Sequence, residues 1–315
     1  VTNGFYCNNC NSLKSFEGAP KVTNNFSCSY CKNLTSLKGA PDKINWFNCS
    51  NCNSLTSLEG APMLVGESFS CAGCKSLKSL KGAPNYVGGY FSCSYCNSLT
   101  NIEGAPKEVG GSFYCDNCDN LISLKGAPKE VGGDFDCSNC HSLTSLEGAP
   151  EEVGGDFGCF NCNSLKSLEG APEKVGKDFN CARCNNLISL KGAPKYVGGS
   201  FYCKSCASLK SIDLPEGITT IESNAFFGCT GLEFITFPDS LVTLGDSVLY
   251  GCTGITVLDL NQISDIGEGS LFGVGPKEQG LEKIIFSPNI LCNNLSIRST
   301  IYTFSKEFSS CNCTI

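Results

Sequence analysis

The stretch FDCSNCHSLTSLEGAP, residues 135–150, recurs along most of the chain and decides its fold. Ten Cys-x-x-Cys pairs mark the copies, from Cys7/Cys10 to Cys203/Cys206, with a step of 21 residues at first and 22 thereafter. A fixed internal period predicts a stack of similar units, each in contact with its neighbours, in place of ordinary globular domains. We call one copy a rung.

Aligned on the cysteines, the rung has the pattern FxCxxCxSLxSLxGAPxxVGGx. Its apolar positions follow neither the helix nor the strand period, which predicts a short coil that turns Phe, Cys, Leu and Val into a shared interior. Gly-Ala-Pro and Gly-Gly supply the corners and disfavour helix. We therefore expect a mainly β, leucine-rich-repeat-like solenoid of about fourteen rungs of 21–23 residues, with short strands around SLxSL and FxC.

Two polar columns indicate that the rungs stack. The residue before each Gly-Ala-Pro changes sign at nearly every step, through Glu17, Lys38, Glu59, Lys81, Glu103, Lys125, Glu147, Glu169 and Lys191, with Asp213 at the matching place. Rungs one strand spacing apart, ~4.8 Å, would place each charge between opposite ones, so this column is expected to set the register. A serine column, from Ser15 to Ser211, is expected to hydrogen-bond between rungs.

After Cys206 the step lengthens to 23 residues, and Cys229 and Cys252 keep the second cysteine while Phe226 and Leu249 replace the first. The stretch LPEGITTIESNAFFGCTGL, residues 214–232, closely resembles the BspA-like class of leucine-rich repeats. The resemblance is specific over about residues 207–260 and looser over the 22-residue rungs. It implies a surface-exposed or secreted protein that serves adhesion and protein binding without catalysis.

The chain is predicted to have three parts. Residues 1–206 form the Cys-rich 22-residue rungs, residues 207–290 continue the same solenoid as BspA-like repeats, and residues 291–315 form a C-terminal cap or tail.

The paired cysteines allow three interpretations, namely disulfides, buried free thiols and metal ligation. Retention of both members in all ten rungs favours a disulfide within each rung, with rung-to-rung bridges and free thiols as alternatives. Metal ligation is disfavoured because the 23-residue repeats keep a single cysteine, and CSNCH at His141 is judged a chance match to the haem-attachment motif. The disulfide candidates are Cys7, Cys10, Cys28, Cys31, Cys49, Cys52, Cys71, Cys74, Cys93, Cys96, Cys115, Cys118, Cys137, Cys140, Cys159, Cys162, Cys181, Cys184, Cys203 and Cys206.

Twenty-five cysteines favour an oxidising compartment, and hence a secreted or cell-surface protein. The odd total leaves a thiol for another chain, for which Cys311 and Cys313 are the candidates. Five N-x-[ST] sequons, weak support for the same compartment, are possible glycosylation sites at Asn25, Asn33, Asn48, Asn294 and Asn312. No apolar segment is long enough to span a membrane.

The sequence contains no nucleophile elbow, histidine pair or phosphate-binding loop, and no basic stripe of the kind that binds nucleic acid. We therefore expect a non-catalytic structural or adhesive protein with no cofactor, whose partner is a protein or glycan at a cell surface. One alternative is a self-assembling filament, suggested by the rung cut open at Val1 and by the terminal cysteines. A metal-binding or electron-carrying cysteine array is the third hypothesis.

Overall fold

The structure, a computed structural model, describes residues 4–21, 24–214, 219–260, 262–276 and 283–286. These residues form short strands and turns, and none of them lies in a helix, as the Gly-Ala-Pro corners predict. Accordingly, no described segment is a helix long and apolar enough to cross a membrane. Contacts divide the chain into two compact units, one comprising Val1–Ser164, Leu168–Asp178 and Gly192–Gly198, the other Leu165–Ser167, Phe179–Lys191 and Gly199–Ile315. The domain limits predicted at residues 206 and 290 stay predictions.

The first unit consists of parallel strands from successive rungs. They are β1 (Gly4–Tyr6), β2 (Asn25–Ser27), β3 (Lys43–Asn48), β4 (Leu64–Ser70), β5 (Tyr86–Val87), β6 (Phe91–Ser92), β7 (Glu108–Val109), β8 (Phe113–Tyr114), β9 (Glu130–Val131), β10 (Phe135–Asp136), β11 (Glu152–Val153), β12 (Phe157–Gly158), β13 (Lys174–Val175) and β15 (Tyr196–Val197). Equivalent residues pair, as Phe113 with Phe135 and Phe135 with Phe157. The predicted one-rung register is therefore confirmed.

Each rung beyond β4 contributes two strands, one ending at the valine and one starting at the phenylalanine. In β3 and β4 these two segments form one continuous strand. From β5 onward the two segments are separated by Gly-Gly, or by Gly176-Lys177 in one rung. Glycine weakens a strand and permits a bend at this point. The sheet therefore splits at β4 into a valine branch, continued by β5, and a phenylalanine branch, continued by β6.

The core of the first unit is a set of vertical columns of identical side chains. The phenylalanine rings stack face to face, with centroids 5.3 Å apart for Phe47 and Phe69 and 5.5 Å apart for Phe135 and Phe157. The cysteines and leucines of these rungs are also fully buried. Because offset ring stacking and apolar burial recur at each step, every rung adds the same increment of stability.

Glycine is required where two rungs approach closely. A Cβ at Gly132 would lie 2.1 Å from the carbonyl oxygen of Gly110, and one at Gly154 would lie 2.3 Å from that of Gly132. Backbone atoms cannot move aside as a flexible side chain would. The glycine column thus fixes how closely the rungs stack at this corner.

The SLxSL segments of the 22-residue rungs are not strands, contrary to prediction. Each is an irregular segment with few backbone hydrogen bonds to the adjacent rungs. One of these bonds runs from the Lys78 N–H to the Thr56 carbonyl oxygen. Its serine bonds within its own rung, since the Ser145 hydroxyl accepts the Glu147 N–H at 3.0 Å, and Asn101 does the same for Glu103. The expected rung-to-rung role of the serine column is therefore wrong, because this local bond satisfies the backbone at the turn.

The second unit contains the remaining strands. They are β14 (Phe179–Asn180), β16 (Phe201–Tyr202), β17 (Ser211–Asp213), β18 (Thr220–Ile221), β19 (Phe234–Thr236), β20 (Thr243–Leu244), β21 (Val257–Leu260), β22 (Asp265–Ile266) and β23 (Lys283–Phe286). Here the segment equivalent to SLxSL does form strands, with β17 parallel to β19 and β21 parallel to β23. Ile212, Leu258 and Leu260 point inward from these strands and are buried.

Candidate functional site: the cysteine columns and the exposed strand face

The cysteines form two columns, one from the first and one from the second member of each pair. The thiol of each second cysteine donates to the carbonyl oxygen of the first cysteine in the preceding rung. The Sγ–O distance is 3.1 Å from Cys52 to Cys28 and 3.2 Å from Cys162 to Cys137. The same contact joins Cys31 to Cys7, Cys74 to Cys49, Cys96 to Cys71, Cys118 to Cys93, Cys140 to Cys115, Cys206 to Cys181 and Cys229 to Cys203.

No disulfide joins the cysteines between Cys7 and Cys252 in the described residues, so the disulfide expected within each rung is not confirmed. Retention of both cysteines has another physical reason, since each column fills a buried position and supplies a donor to a neighbouring backbone carbonyl. The 23-residue repeats show this directly. The Cys252 thiol donates at 3.2 Å to the carbonyl oxygen of Phe226, which replaces a first cysteine. The hydrogen bond of the second cysteine therefore requires only a backbone carbonyl in the preceding rung, and not a cysteine.

Burial keeps most of these thiols protonated. Desolvation raises the pKa of the Cys7 thiol to about 12, and it raises the pKa values of Cys49 and Cys115 well above the ordinary range of a thiol. A protonated thiol is a poor nucleophile and a poor metal ligand. The columns therefore belong to the core, and the thiols whose pKa is raised are unreactive at neutral pH. Cys206 is an exception, because hydrogen bonds from the Cys181 and Cys203 thiols lower its pKa to about 5.

The haem-type motif is not assembled as one site, because Cys137 and Cys140 are buried whereas His141 is exposed. Within the described segments, no three His, Cys, Asp or Glu side chains are grouped so that they could hold a metal ion.

The column before Gly-Ala-Pro contains ion pairs between adjacent rungs. They join Glu17 to Lys38 at 3.0 Å, Glu59 to Lys81 at 2.8 Å and Glu103 to Lys125 at 2.8 Å. The hydrogen bond and attraction from Glu59 raise the pKa of Lys81, and the reverse effect lowers the pKa of Glu59. Since these side chains are exposed, the pairs favour one register more than they stabilise the fold.

Three of the five sequons fall on described residues. Asn33 is exposed, although its amide donates at 2.7 Å to the Asn11 carbonyl, whereas Asn25 and Asn48 are half-buried within strands. Of the three, Asn33 offers a glycan the most room. The other sequons, at Asn294 and Asn312, and the cysteines Cys311 and Cys313 lie outside the described residues.

In the second unit, strands β17, β19 and β21 alternate between buried and outward side chains. We call their outward residues the strand face, which consists of Ser211, Asp213, Phe234, Thr236, Val257 and Asp259. Phe234 is 67% exposed and Val257 is 46% exposed. Strand β19 contacts both β17 and β21, so this face is a polar surface with two apolar side chains at the first residues of β19 and β21.

An aromatic stack in the second unit was not predicted from the sequence. The rings of Phe227, Tyr250 and Phe272 stack with centroids 4.7 and 5.1 Å apart, and the Lys204 ammonium lies 4.4 Å from the Phe227 centroid. The signal was available, since Phe-Gly-Cys at 227–229 and Tyr-Gly-Cys at 250–252 share the 23-residue step. The stack covers the turn before each second cysteine.

Comparisons with known proteins identify the type of repeat at the C-terminal side of the chain. The family model described as a BspA type leucine rich repeat region matches residues 196–314 with six copies. No curated protein matches the chain significantly. Among solved structures, a leucine-rich repeat protein from Bacteroides ovatus is 19% identical, with a TM-score of 0.46, over 85% of this chain and 80% of that one. One from Eubacterium ventriosum is 12% identical, with a TM-score of 0.35, over 80% and 83%. The predicted resemblance is confirmed, since residues 196–314 match the model of a BspA type leucine rich repeat region.

Proposed function

We propose that this chain is a non-catalytic repeat protein that binds a protein partner at a cell surface through the strand face. The observation that carries the proposal is the 67% exposure of Phe234, which begins the middle strand of that face. A large aromatic side chain held outward on a rigid strand is a typical anchor for a protein partner. The BspA-type repeats support a role in protein interaction.

The surroundings of Phe234 suit a protein interface. Val257 adds a second apolar side chain on the neighbouring strand, and Asp213 is exposed at the edge of the face. The Lys210 ammonium and the Glu233 carboxylate form an ion pair beside it. An apolar centre with a charged rim is the usual composition of a protein-binding surface.

The proposed compartment is extracellular or cell-surface. The repeat family supports it, because proteins with BspA-type repeats are often surface-associated. The cysteine content gives less support than its number suggests, since the thiols are buried core residues. Protease treatment of intact producing cells tests the compartment. Loss of the chain from intact cells is expected, whereas cleavage only after lysis would contradict surface placement.

The binding role is tested with the full chain immobilised against purified cell-surface and matrix proteins, surface glycans and the chain itself. We expect Phe234→Asp to weaken binding of a protein partner at least tenfold. The matched control is Val242→Asp, which alters another exposed apolar residue outside the strand face. Equal binding by Phe234→Asp and the unmodified chain would remove the strand face from the proposal.

A further inference from the structure

We infer that the two cysteine columns are a cross-linking site, in which the first cysteine of one rung forms a disulfide with the second cysteine of the next. We call this the diagonal pairing. The series starts at Cys7 with Cys31 and includes Cys28 with Cys52, Cys49 with Cys74, Cys71 with Cys96 and Cys137 with Cys162. The oxidant is an exchangeable disulfide, either a small molecule such as oxidised glutathione or a protein disulfide.

The contacts between sulfur atoms and the neighbouring rung select this pairing. The Cys52 sulfur lies 3.1 Å from the Cys28 carbonyl oxygen, and the Cys28 thiol donates towards the same rung, to the Asn48 carbonyl oxygen at 3.4 Å. The Cys74 sulfur lies 3.2 Å from the Cys49 carbonyl oxygen in the same way. Each second cysteine thus packs against the first cysteine of the preceding rung, and a bridge needs the two sulfur atoms to close to ~2.05 Å.

The partner within the rung is placed less favourably. Cys28 and Cys31 lie on either side of Tyr30, whose φ is 60°. The Cys31 thiol donates to the rung before, at the Cys7 carbonyl oxygen, whereas the Cys28 thiol donates to the rung after, at the Asn48 carbonyl oxygen. The two sulfur atoms of one pair are therefore directed to opposite neighbours.

The two pairings differ at the ends of the columns. The last complete pair is Cys203/Cys206, and the next rung keeps only its second cysteine, Cys229. The Cys229 sulfur lies 3.2 Å from the Cys203 carbonyl oxygen. Among the cysteines from Cys7 to Cys252, pairing within rungs omits Cys229 and Cys252, whereas the diagonal pairing joins Cys229 to Cys203 and omits Cys10 and Cys252.

Each bridge forms by two exchange steps. The thiolate of one cysteine attacks the external disulfide, forms a mixed disulfide and releases one external thiolate. The second cysteine then attacks the protein sulfur of the mixed disulfide, forms the protein bridge and releases the other external thiolate. Two protein thiols are oxidised, one external disulfide is reduced, and the two protons pass to the released thiolates. Because Cys28 and Cys49 are fully buried in the folded chain, the exchange takes place while the rungs stack.

The test is a peptide map of the full chain refolded with oxidised and reduced glutathione, alkylated and digested with trypsin without reduction. Cys28 and Cys31 share peptide 22–32, and Cys49, Cys52, Cys71 and Cys74 share peptide 44–75. The diagonal pairing links these two peptides covalently. A separate peptide 22–32 that lacks two hydrogens would show a bridge within the rung and overturn the inference. Complete alkylation of every cysteine would overturn it equally.

Single variants identify the partner directly. Under the diagonal pairing, Cys28→Ser leaves Cys52 as the newly alkylated residue, whereas a bridge within the rung would free Cys31. The matched control Cys31→Ser frees Cys7 under the diagonal pairing. If a variant does not fold, the peptide map of the unmodified chain still decides between the pairings.

Discussion

Single residues in this protein act at a turn that each rung repeats. The Ser145 hydroxyl accepts the Glu147 N–H at 3.0 Å. We expect Ser145→Ala to cost about 1 kcal/mol, because the backbone donor loses its partner at the turn. Ser145→Asn should be nearly neutral, since Asn101 makes this bond in another rung. Urea unfolding measures both.

The control for this substitution is Ser142→Ala in the same rung. Ser142 has no such side-chain bond among the described contacts, and it is similarly half-buried. Equal losses in the two alanine variants would mean that the Ser145 hydroxyl does not cap the turn.

The middle of the Cys-x-x-Cys turn has a backbone conformation that most residues adopt with strain. Tyr95 has a φ of 60°, a backbone conformation that suits Asn and Gly, and Asn117 and Asn139 occupy it in the next rungs. We expect Tyr95→Asn to raise the free energy of unfolding by about 1 kcal/mol. Tyr90→Asn, which alters an exposed tyrosine without a positive φ, should give no such gain. An unchanged urea midpoint for Tyr95→Asn would contradict the strain.

The sequence predicted which side chains form each column but not which way their polar atoms bond. A fixed period determines that Ser123 and Ser145 are equivalent, yet the torsion angle of each side chain decides whether its hydroxyl reaches the next rung or its own turn. The cysteines show the same limit. The presence of both cysteines in every 22-residue rung was interpreted as a disulfide within the pair. The repeat period would place the cysteines in two regular columns whichever partners they have. The repeat period therefore predicts where each side chain lies, whereas its hydrogen-bond partner depends on the local geometry of the chain.

The glycine column allows the backbones of adjacent rungs to approach closely at the corner between two strands. We expect Gly132→Ala to destabilise the first unit by about 2–3 kcal/mol, because the new methyl group would overlap the Gly110 backbone. Gly66→Ala is the matched control, since its Cβ would lie 3.3 Å from the Asn45 side chain, which can move. Thermal unfolding should separate the two variants clearly. Similar midpoints would show that the rungs can part at this corner without cost.

Strand positions were predicted with mixed success, for a physical reason. FxC was correctly placed on strands, because a phenylalanine before a buried cysteine packs well in a parallel sheet. SLxSL was wrong for the 22-residue rungs, where Gly-Ala-Pro follows at once and bends the chain away. In the second unit the equivalent segment runs on to Leu214 or Leu260 before it turns, and it is a strand at Ser211–Asp213 and Val257–Leu260. The number of residues before the turn therefore decides whether this segment forms a strand.

For the whole molecule, the buried thiols predict a particular response to pH. Unfolded thiols titrate near ~8.5, whereas burial raises the pKa of folded ones such as Cys28 and Cys115. Above ~8.5 the unfolded chain loses protons that the folded chain keeps, so stability present at lower pH is lost as pH rises. Each such thiol contributes a loss of about 1.4 kcal/mol per pH unit.

We therefore expect the reduced protein to lose stability steeply between about pH 8.5 and 10, as measured by urea midpoints under argon with reductant. Protein whose cysteines have been cross-linked should lack this slope, because a disulfide does not titrate. A flat profile for the reduced protein would show that its thiols are not buried as the structure has them.

The alternating ion pairs have a consequence for the number of rungs. Every rung meets the next through equivalent backbone groups, so losing a whole copy leaves donors facing matching acceptors. The sign of the charge before Gly-Ala-Pro, however, repeats only every second copy. Deleting residues 69–90 brings Glu59 beside Glu103, whereas deleting residues 69–112 brings Glu59 beside Lys125. Copies of this repeat are thus expected to be gained and lost more easily in pairs, so that odd and even lengths differ in fitness although their cores are alike.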